Sequence, residues 1–556
     1  MTTIVDDCET GSGNNMCKAP GTFEAEAHRE HDAEVEIEYS GTPEVEPSDD
    51  EPIKFKFNFR RLWKFCGPGW LMSLAYLDPG NLESDLQQGA YTNLTLIWVL
   101  WWATVMGLFL QEMSARIGIV TGKDLAQCVR TEYPRWLNYI IYFMMELAVI
   151  GSDIQEVVGT GIALYLLSNG AIPVWAGCLI TGMDSFTFLA VQYLGVRYLE
   201  AFIFLLIATM TGCFFVNWGN TQGNPDALFL GWVVPTSQSW AVQQAVGTIG
   251  AVIMPHNLYL HSGLVLSRKI DRKSVTKMND AIWYGRIEAA IALLVSFFIN
   301  LAIVAVNAEL FFNSECAQSA DGPLACMDKR AYVDAGFGSV GNGSQTCVLP
   351  RPSVDGSPGM TGVCADFGLQ STAFALKYAL GGYALYMWAV GVFAAGQSAT
   401  MVCTYAGQII MGGCLQLSMK PWMRVCITRA VALGPAIAVA CGTYNNQVLF
   451  NNINQYLNIL QSVQLPFAML PVLHFAAQKK LMGRFTSGAG WSIATNLMAL
   501  SVIGVSVYLI YLFIADWDKW PTVLVCLYGV FYFFLCYKMV EVDLVWAVNF
   551  VRGCSE

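Results

Sequence analysis

Charge is scarce in this sequence. Only 13% of its 556 residues are Asp, Glu, Lys or Arg, while 55% are hydrophobic. With apolar runs long enough to cross roughly 30 Å of hydrocarbon recurring along the chain, that balance excludes a soluble fold and predicts an all-α polytopic membrane protein. Also missing are a phosphate-binding loop, a nucleophile elbow and a zinc-hydrolase motif. ATP-driven pumping therefore lacks its machinery, and neither an enzyme nor a bound cofactor is expected. Paired metal-binding cysteine spacings are absent too: thirteen of the seventeen cysteines are scattered over spans, cytosolic edges and termini and read as buried thiols. The amino-terminal stretch lacks the basic-then-apolar pattern of a signal peptide. Instead, residues 1–51 hold fifteen Asp/Glu against Lys18 and Arg29, a net −13 that leaves the rest near +2. Such a tail (1–55) cannot bury a core and is expected to be disordered and cytosolic.

Twelve spans are predicted, near 66–91, 94–119, 137–167, 171–192, 198–218, 238–266, 283–312, 376–412, 422–443, 450–477, 488–515 and 520–545. Basic residues in short loops orient them, because cytoplasmic loops collect Lys and Arg. Arg60, Arg61 and Lys64 precede the first span; Lys123, Arg130 and Arg135 follow the second; Arg268, Lys269, Arg272 and Lys273 follow the sixth; Lys479, Lys480 and Arg484 follow the tenth. Both termini are thus expected in the cytosol, with 546–556 as a short cytosolic end. The loop near 313–370 then faces outward or into an organelle lumen. It holds Cys316, Cys326, Cys347 and Cys364, which on that side predict two disulfides in any of three pairings, and the glycosylation triplet beginning at Asn342.

Two predicted spans are interrupted by polar, proline-containing tetrapeptides, Asp78-Pro79-Gly80-Asn81 and Met254-Pro255-His256-Asn257. Proline removes a backbone donor and glycine loosens the chain, so both helices should unwind and free carbonyls at mid-membrane. With spans 1–5 (about 66–218) and 6–10 (about 238–477) taken as two repeats, the breaks fall in the first helix of each. An odd number of spans per repeat turns the second unit upside down relative to the first. This is the 5+5 inverted repeat of leucine-transporter-type secondary carriers, with two extra helices at about 488–545.

Further motifs make the pattern specific: Gly122-Lys123-Asp124-Leu125, the stretch GQSATMVCTYAGQIIMGG from Gly396 to Gly413, and Gln464-Leu465-Pro466-Phe467. From about residue 60 to 545 the chain resembles the natural-resistance-associated macrophage protein (Nramp) family of proton-coupled divalent metal transporters. It departs at Gly412, where members often carry glutamate. The resemblance implies that Asp78, Asn81 and Met254 supply side-chain ligands, Ala75 and Ala251 backbone carbonyls, and Gln464 a ligand on occlusion. The chemistry is consistent: a carboxylate offsets dehydration of a dication, neutral oxygens complete the shell, and the thioether favours Fe²⁺, Mn²⁺, Co²⁺ and Cd²⁺ over Mg²⁺ and Ca²⁺. The bland alternatives are a helix-capping role for Asp78 and plain packing for Met254.

Glu146, Asp153 and Glu156 fall within about 80° of one another on span 3, too polar a stripe to face lipid. The resemblance matches them to an acidic proton pathway, with His256 near its start, Arg424 as cationic partner and His261 as a further candidate. A buried salt-bridge network is the structural alternative. The transport expected is alternating access toward the cytosol, driven in part by inward proton movement. A non-transporting metal sensor and an amino-acid transporter of the same fold are the competing readings. The first would need an output domain, for which the ends leave little room. The second would need a site shaped for a carboxylate and an amine. The plasma membrane or an endosomal or lysosomal membrane fits a disulfide-bearing, glycosylated loop. Metal ions, protons and the bilayer are the expected partners, without nucleic acid, and one chain holds a complete core and is expected to work as a monomer.

Overall fold

The computed structural model describes residues 35–36, 55–183, 196–221, 223–319, 322–340, 345–350, 361–416, 421–442, 447–515 and 529–539. Nearly all of its regular structure is helical. Among the described residues, seven helical stretches are long and apolar enough to cross a membrane: Arg135–Leu167, Ala201–Gly219, Val242–Ser267, Val275–Phe311, Gly382–Leu415, Asn451–Ala477 and Ala489–Tyr508. The second expected span is the continuous helix Ile97–Thr121. The fourth, ninth and twelfth appear as the shorter apolar pieces Val174–Met183, Arg429–Gly442 and Gly529–Met539.

The polarity of the bundle is that of a protein solvated by hydrocarbon. Large apolar side chains such as Phe204, Leu497 and Leu500 stand exposed, while Asp78, Asn81, Glu83, Asp85, Asp153 and Glu156 are buried. In lipid, polar groups must find partners inside the bundle.

The first expected span is divided into Pro68–Leu74 and Pro79–Thr92, and the sixth into Val242–Val252 and Pro255–Leu264. Each second half starts on a proline at a position where the missing N–H costs nothing to that half. The cost falls on the half before it. A helical N–H at 79 would bond the carbonyl of Ala75, and one at 255 the carbonyl of Ala251; Pro79 and Pro255 have no N–H to offer. The first half, Pro68–Leu74, is anchored from outside its own segment: the buried Glu288 carboxylate accepts from the N–H groups of Gly67 and Gly69. A carboxylate at a helix N-terminus is electrostatically favourable there.

The four-cysteine loop holds a small sheet that the sequence patterning did not suggest. Strand Thr361–Ala365 lies between Ala325–Met327 and Thr346–Val348, antiparallel to both. Of the three disulfide pairings, the structure takes Cys316–Cys364 and Cys326–Cys347. Gly362 passes beneath the second bridge, where a Cβ would lie 2.9 Å from Cys326 Sγ. Asn342 and most of the acidic tail lie outside the described residues. Within that tail, Val35–Glu36 pair in parallel with Arg268–Lys269.

Candidate metal centre

Asp78 sits in the first break and does two things at once. It is the N-cap of Pro79–Thr92: Oδ1 accepts from the Asn81 N–H at 2.9 Å and from Asn81 Nδ2 at 2.7 Å. The capping alternative is therefore real, and it uses only half of the carboxylate. Asp78 Oδ2 and Asn81 Oδ1 have no hydrogen-bond partner, although the two residues are 1% and 0% exposed. Leaving buried oxygens unsatisfied costs about 1–3 kcal/mol each. Two adjacent ones, pre-oriented by a shared hydrogen bond, are the donor arrangement a dication compensates.

Both breaks pack on one helix. Arg135–Leu167 presents Gly159 to Pro79, where a Cβ on the glycine would come within 2.5 Å of the Pro79 ring. One turn earlier, Gln155 faces Gly80, and a Cβ there would lie 2.7 Å from Gln155 Oε1. One further turn along, Ser152 Oγ lies 3.9 Å from Met254 Sδ and donates to Glu156 Oε1 at 2.8 Å. Met254 is 2% exposed and is the N-cap of Pro255–Leu264 without a side-chain cap bond. Its thioether thus meets a hydroxyl that is itself bonded to a carboxylate, a polar contact rather than the apolar packing of an ordinary core methionine.

Sequence reasoning missed a ring of amides that ties this assembly to the helix Gln447–Gln464. Gln155 Nε2 donates to Asn458 Oδ1 at 2.9 Å and to the Asn454 carbonyl at 3.1 Å, and Gln155 Oε1 accepts from Gln461 Nε2 at 3.0 Å. Asn458 Nδ2 closes the ring on the Gly80 carbonyl at 3.2 Å. The amphipathic, amide-rich run Asn451–Gln464 carried that signal. Gln464, at the end of the run, is 1% exposed, and both its amide atoms lack a partner.

The acidic residues of Arg135–Leu167 meet different partners. Asp153 pairs with Arg429, whose guanidinium also donates to the Thr400 carbonyl and Thr404 Oγ1. Arg429 was passed over in the sequence; the side chain of Arg424, five residues earlier on Pro421–Gly442, lies outside the described residues. Glu156 Oε2 is buried without a partner. Glu146 is half-buried with an unpartnered Oε2, and His261 is buried with an unpartnered Nδ1. Neither shares a hydrogen bond with the other candidates among the described residues. His256 lies 3.7 Å from Cys403 Sγ through Nε2, and its Nδ1 is unpartnered.

The family model described as natural resistance-associated macrophage protein-like covers residues 69–327 and 358–512. The chain is 40% identical over 485 residues to the metal transporter Nramp3 of Arabidopsis thaliana, spanning 86% of this chain and 87% of that one. It is 42% identical over 489 residues to the protein Malvolio of Drosophila melanogaster, spanning 87% and 78%. Among solved structures, a manganese transporter of Eremococcus coleocola superposes with a TM-score of 0.69 at 25% identity, over 92% of this chain and 98% of that one. The chain belongs to the Nramp family of divalent metal transporters and is a secondary transporter rather than an enzyme.

Proposed function

We propose that the chain carries Fe²⁺ and Mn²⁺, with Co²⁺ and Cd²⁺ as further substrates, toward the cytosol by proton-coupled alternating access. The observation that carries this reading is the buried pair of unpartnered oxygens, Asp78 Oδ2 and Asn81 Oδ1, on the same wall as a polar-held Met254 thioether. Ala75 and Ala251 add the carbonyls that Pro79 and Pro255 leave without intrahelical donors, and Gln464 adds an amide when the site closes. Asp78 offsets the dehydration of the ion; Met254 shifts preference toward softer ions. Against a thousandfold excess of Mg²⁺ or Ca²⁺, equal occupancy needs about 4 kcal/mol of discrimination. A soft donor supplies part of that.

Protons travel beside the metal. Glu156, linked through Ser152 to the neighbourhood of Met254, takes the first position. The Asp153–Arg429 pair follows it, and His256, Glu146 and His261 line the remaining path, with Arg424 as a further cation. The architecture that fits is twelve spans in a 5+5 inverted repeat of the leucine-transporter type plus two helices, both termini cytosolic. The acidic tail precedes it, and the disulfide-bearing loop faces a lumen or the exterior with glycan at Asn342. The membrane is the plasma membrane or an endosomal or lysosomal one, and a monomer suffices.

Mn²⁺ and Fe²⁺ uptake into proteoliposomes at acidic and neutral outside pH tests the reading. Uptake should rise in acid, vanish in Asp78→Ala, and in Met254→Ala persist with Mg²⁺ and Ca²⁺ becoming effective competitors. Metal binding without flux in wild type would instead identify a sensor.

A further inference from the structure

The start of Arg135–Leu167, the residues just after Asn451–Ala477 and the end of Gly529–Met539 enclose a cavity of about 630 Å³. That volume falls within the size class of small-molecule sites. Lys479, Lys480 and Lys538 line it against a single carboxylate, Glu132. Lys479 and Lys480 are exposed, and among the described residues neither makes an ion pair. The floor is fixed by aromatic and polar contacts. The Tyr133 ring stacks on His474 with centroids 5.8 Å apart, its hydroxyl donates to the Met539 carbonyl at 3.1 Å, and Gln478 Nε2 lies 2.6 Å from His474 Nε2. On the flank, Trp136 lines the cavity and stacks on Phe534 at 6.5 Å; these rings are 44% and 47% exposed. Both belong to apolar helices at a membrane boundary, where aromatic side chains meet lipid.

Lysines at a membrane boundary are ordinarily solvated one by one. Here they surround a shared volume, outnumber the acid in it, and adjoin an apolar aromatic surface. A ligand that matches both has a multiply charged phosphate head and a hydrocarbon tail. We propose that the cavity binds an anionic phospholipid of the phosphoinositide class, with its phosphates on the three lysines and an acyl chain along Trp136 and Phe534. A soluble phosphate meets the lysines but leaves the aromatic pair unused. In the orientation proposed above this boundary is cytosolic, the side on which anionic lipids attract basic segments. The bound lipid bridges Arg135–Leu167, which carries Asp153 and Glu156, to Asn451–Ala477, which carries Gln464, and stabilises the folded bundle by mass action.

Thermal unfolding of the purified full-length protein in detergent, titrated with dioctanoyl phosphatidylinositol bisphosphate, tests the site. Wild type should be stabilised saturably. Each of Lys479→Gln, Lys480→Gln and Lys538→Gln should weaken the apparent affinity about fivefold, and the three together about a hundredfold. Lys56→Gln, Lys123→Gln and Lys273→Gln, combined, remove the same charge elsewhere and should leave the titration unchanged. Inositol trisphosphate, the charged head without tails, should bind more weakly than the lipid, and Trp136→Ala should narrow that difference. Dioctanoyl phosphatidylcholine should not stabilise. The site is refuted by no stabilisation of wild type, by an undiminished response in the triple cavity variant, or by an equal loss in the control triple. Inositol trisphosphate binding as tightly as the lipid overturns the lipid in favour of a soluble phosphate, and an equal response to phosphatidylcholine overturns the role of the lysines.

Discussion

Arg429→Met is the most informative single change outside the proposed metal ligands. In the folded protein the guanidinium meets the Asp153 carboxylate, the Thr400 carbonyl and the Thr404 hydroxyl, in surroundings where Arg429 is 6% and Asp153 4% exposed. Removing the cation leaves a buried anion without a counter-charge, a class of change that costs roughly 3–5 kcal/mol. Neutralising the anion in the same molecule should recover most of it. Arg429→Met with Asp153→Asn is then expected to cost only ~1–2 kcal/mol, so the second change should recover about 1–4 kcal/mol of what Arg429→Met loses, and the two changes should be strongly non-additive. Thermal and denaturant unfolding of the four proteins in detergent measures the cycle. Mn²⁺ uptake with and without an imposed proton gradient adds the functional readout. If the pair carries protons, the double variant folds and moves Mn²⁺ with its gradient dependence weakened. Additivity within about 0.5 kcal/mol would refute the pairing argument. An unchanged gradient dependence in the double variant would leave the pair purely structural.

Other consequences are equally direct. Gly80→Ala drives a methyl to 2.7 Å from Gln155 Oε1 and 3.1 Å from Asp78 Oδ2; an overpacking cost of about 1–3 kcal/mol and a substantial loss of Mn²⁺ affinity should follow, with Gln155→Ala in the same chain restoring stability more than affinity. Just after the strand Thr361–Ala365, burial pushes the Asp366 carboxyl from 3.8 to about 6, where it accepts from Tyr91 at 2.6 Å and Asn451 at 3.2 Å. A raised carboxyl favours the folded state while protonated, so this contribution is complete below the unfolded value and is lost as pH rises through about 6. The melting temperature of wild type should fall across that window more steeply than that of Asp366→Asn. In the four-cysteine loop, Cys316–Cys364 closes 48 residues and Cys326–Cys347 closes 21; chain entropy assigns them roughly 4 and 3 kcal/mol. Non-reducing peptide mapping should find those two linkages, and Cys364→Ser should release the loop to protease without abolishing the membrane core.

Local chemistry made some of this molecule legible in the chain itself. Proline cannot donate an N–H wherever it sits, so the breaks at Pro79 and Pro255 follow from two residues and need no neighbours. Long apolar runs have one stable solution in hydrocarbon, which decided the helical, membrane-spanning class. The same runs could not reveal that Oδ1 of Asp78 caps a helix while Oδ2 stays unsatisfied, because that division depends on how Asn81 folds back on it. Nor could they distinguish Arg429 from Arg424 as the partner of Asp153, choose among three disulfide pairings, or bring Gln155, Asn458 and Gln461 onto Gly80. Those outcomes rest on contacts between residues up to 378 positions apart. Sequence alone determined where the helices open and which donor types wait there; only the packing of the tertiary structure decided which atoms face one another across the openings, because side-chain partners are set by the approach of distant helices.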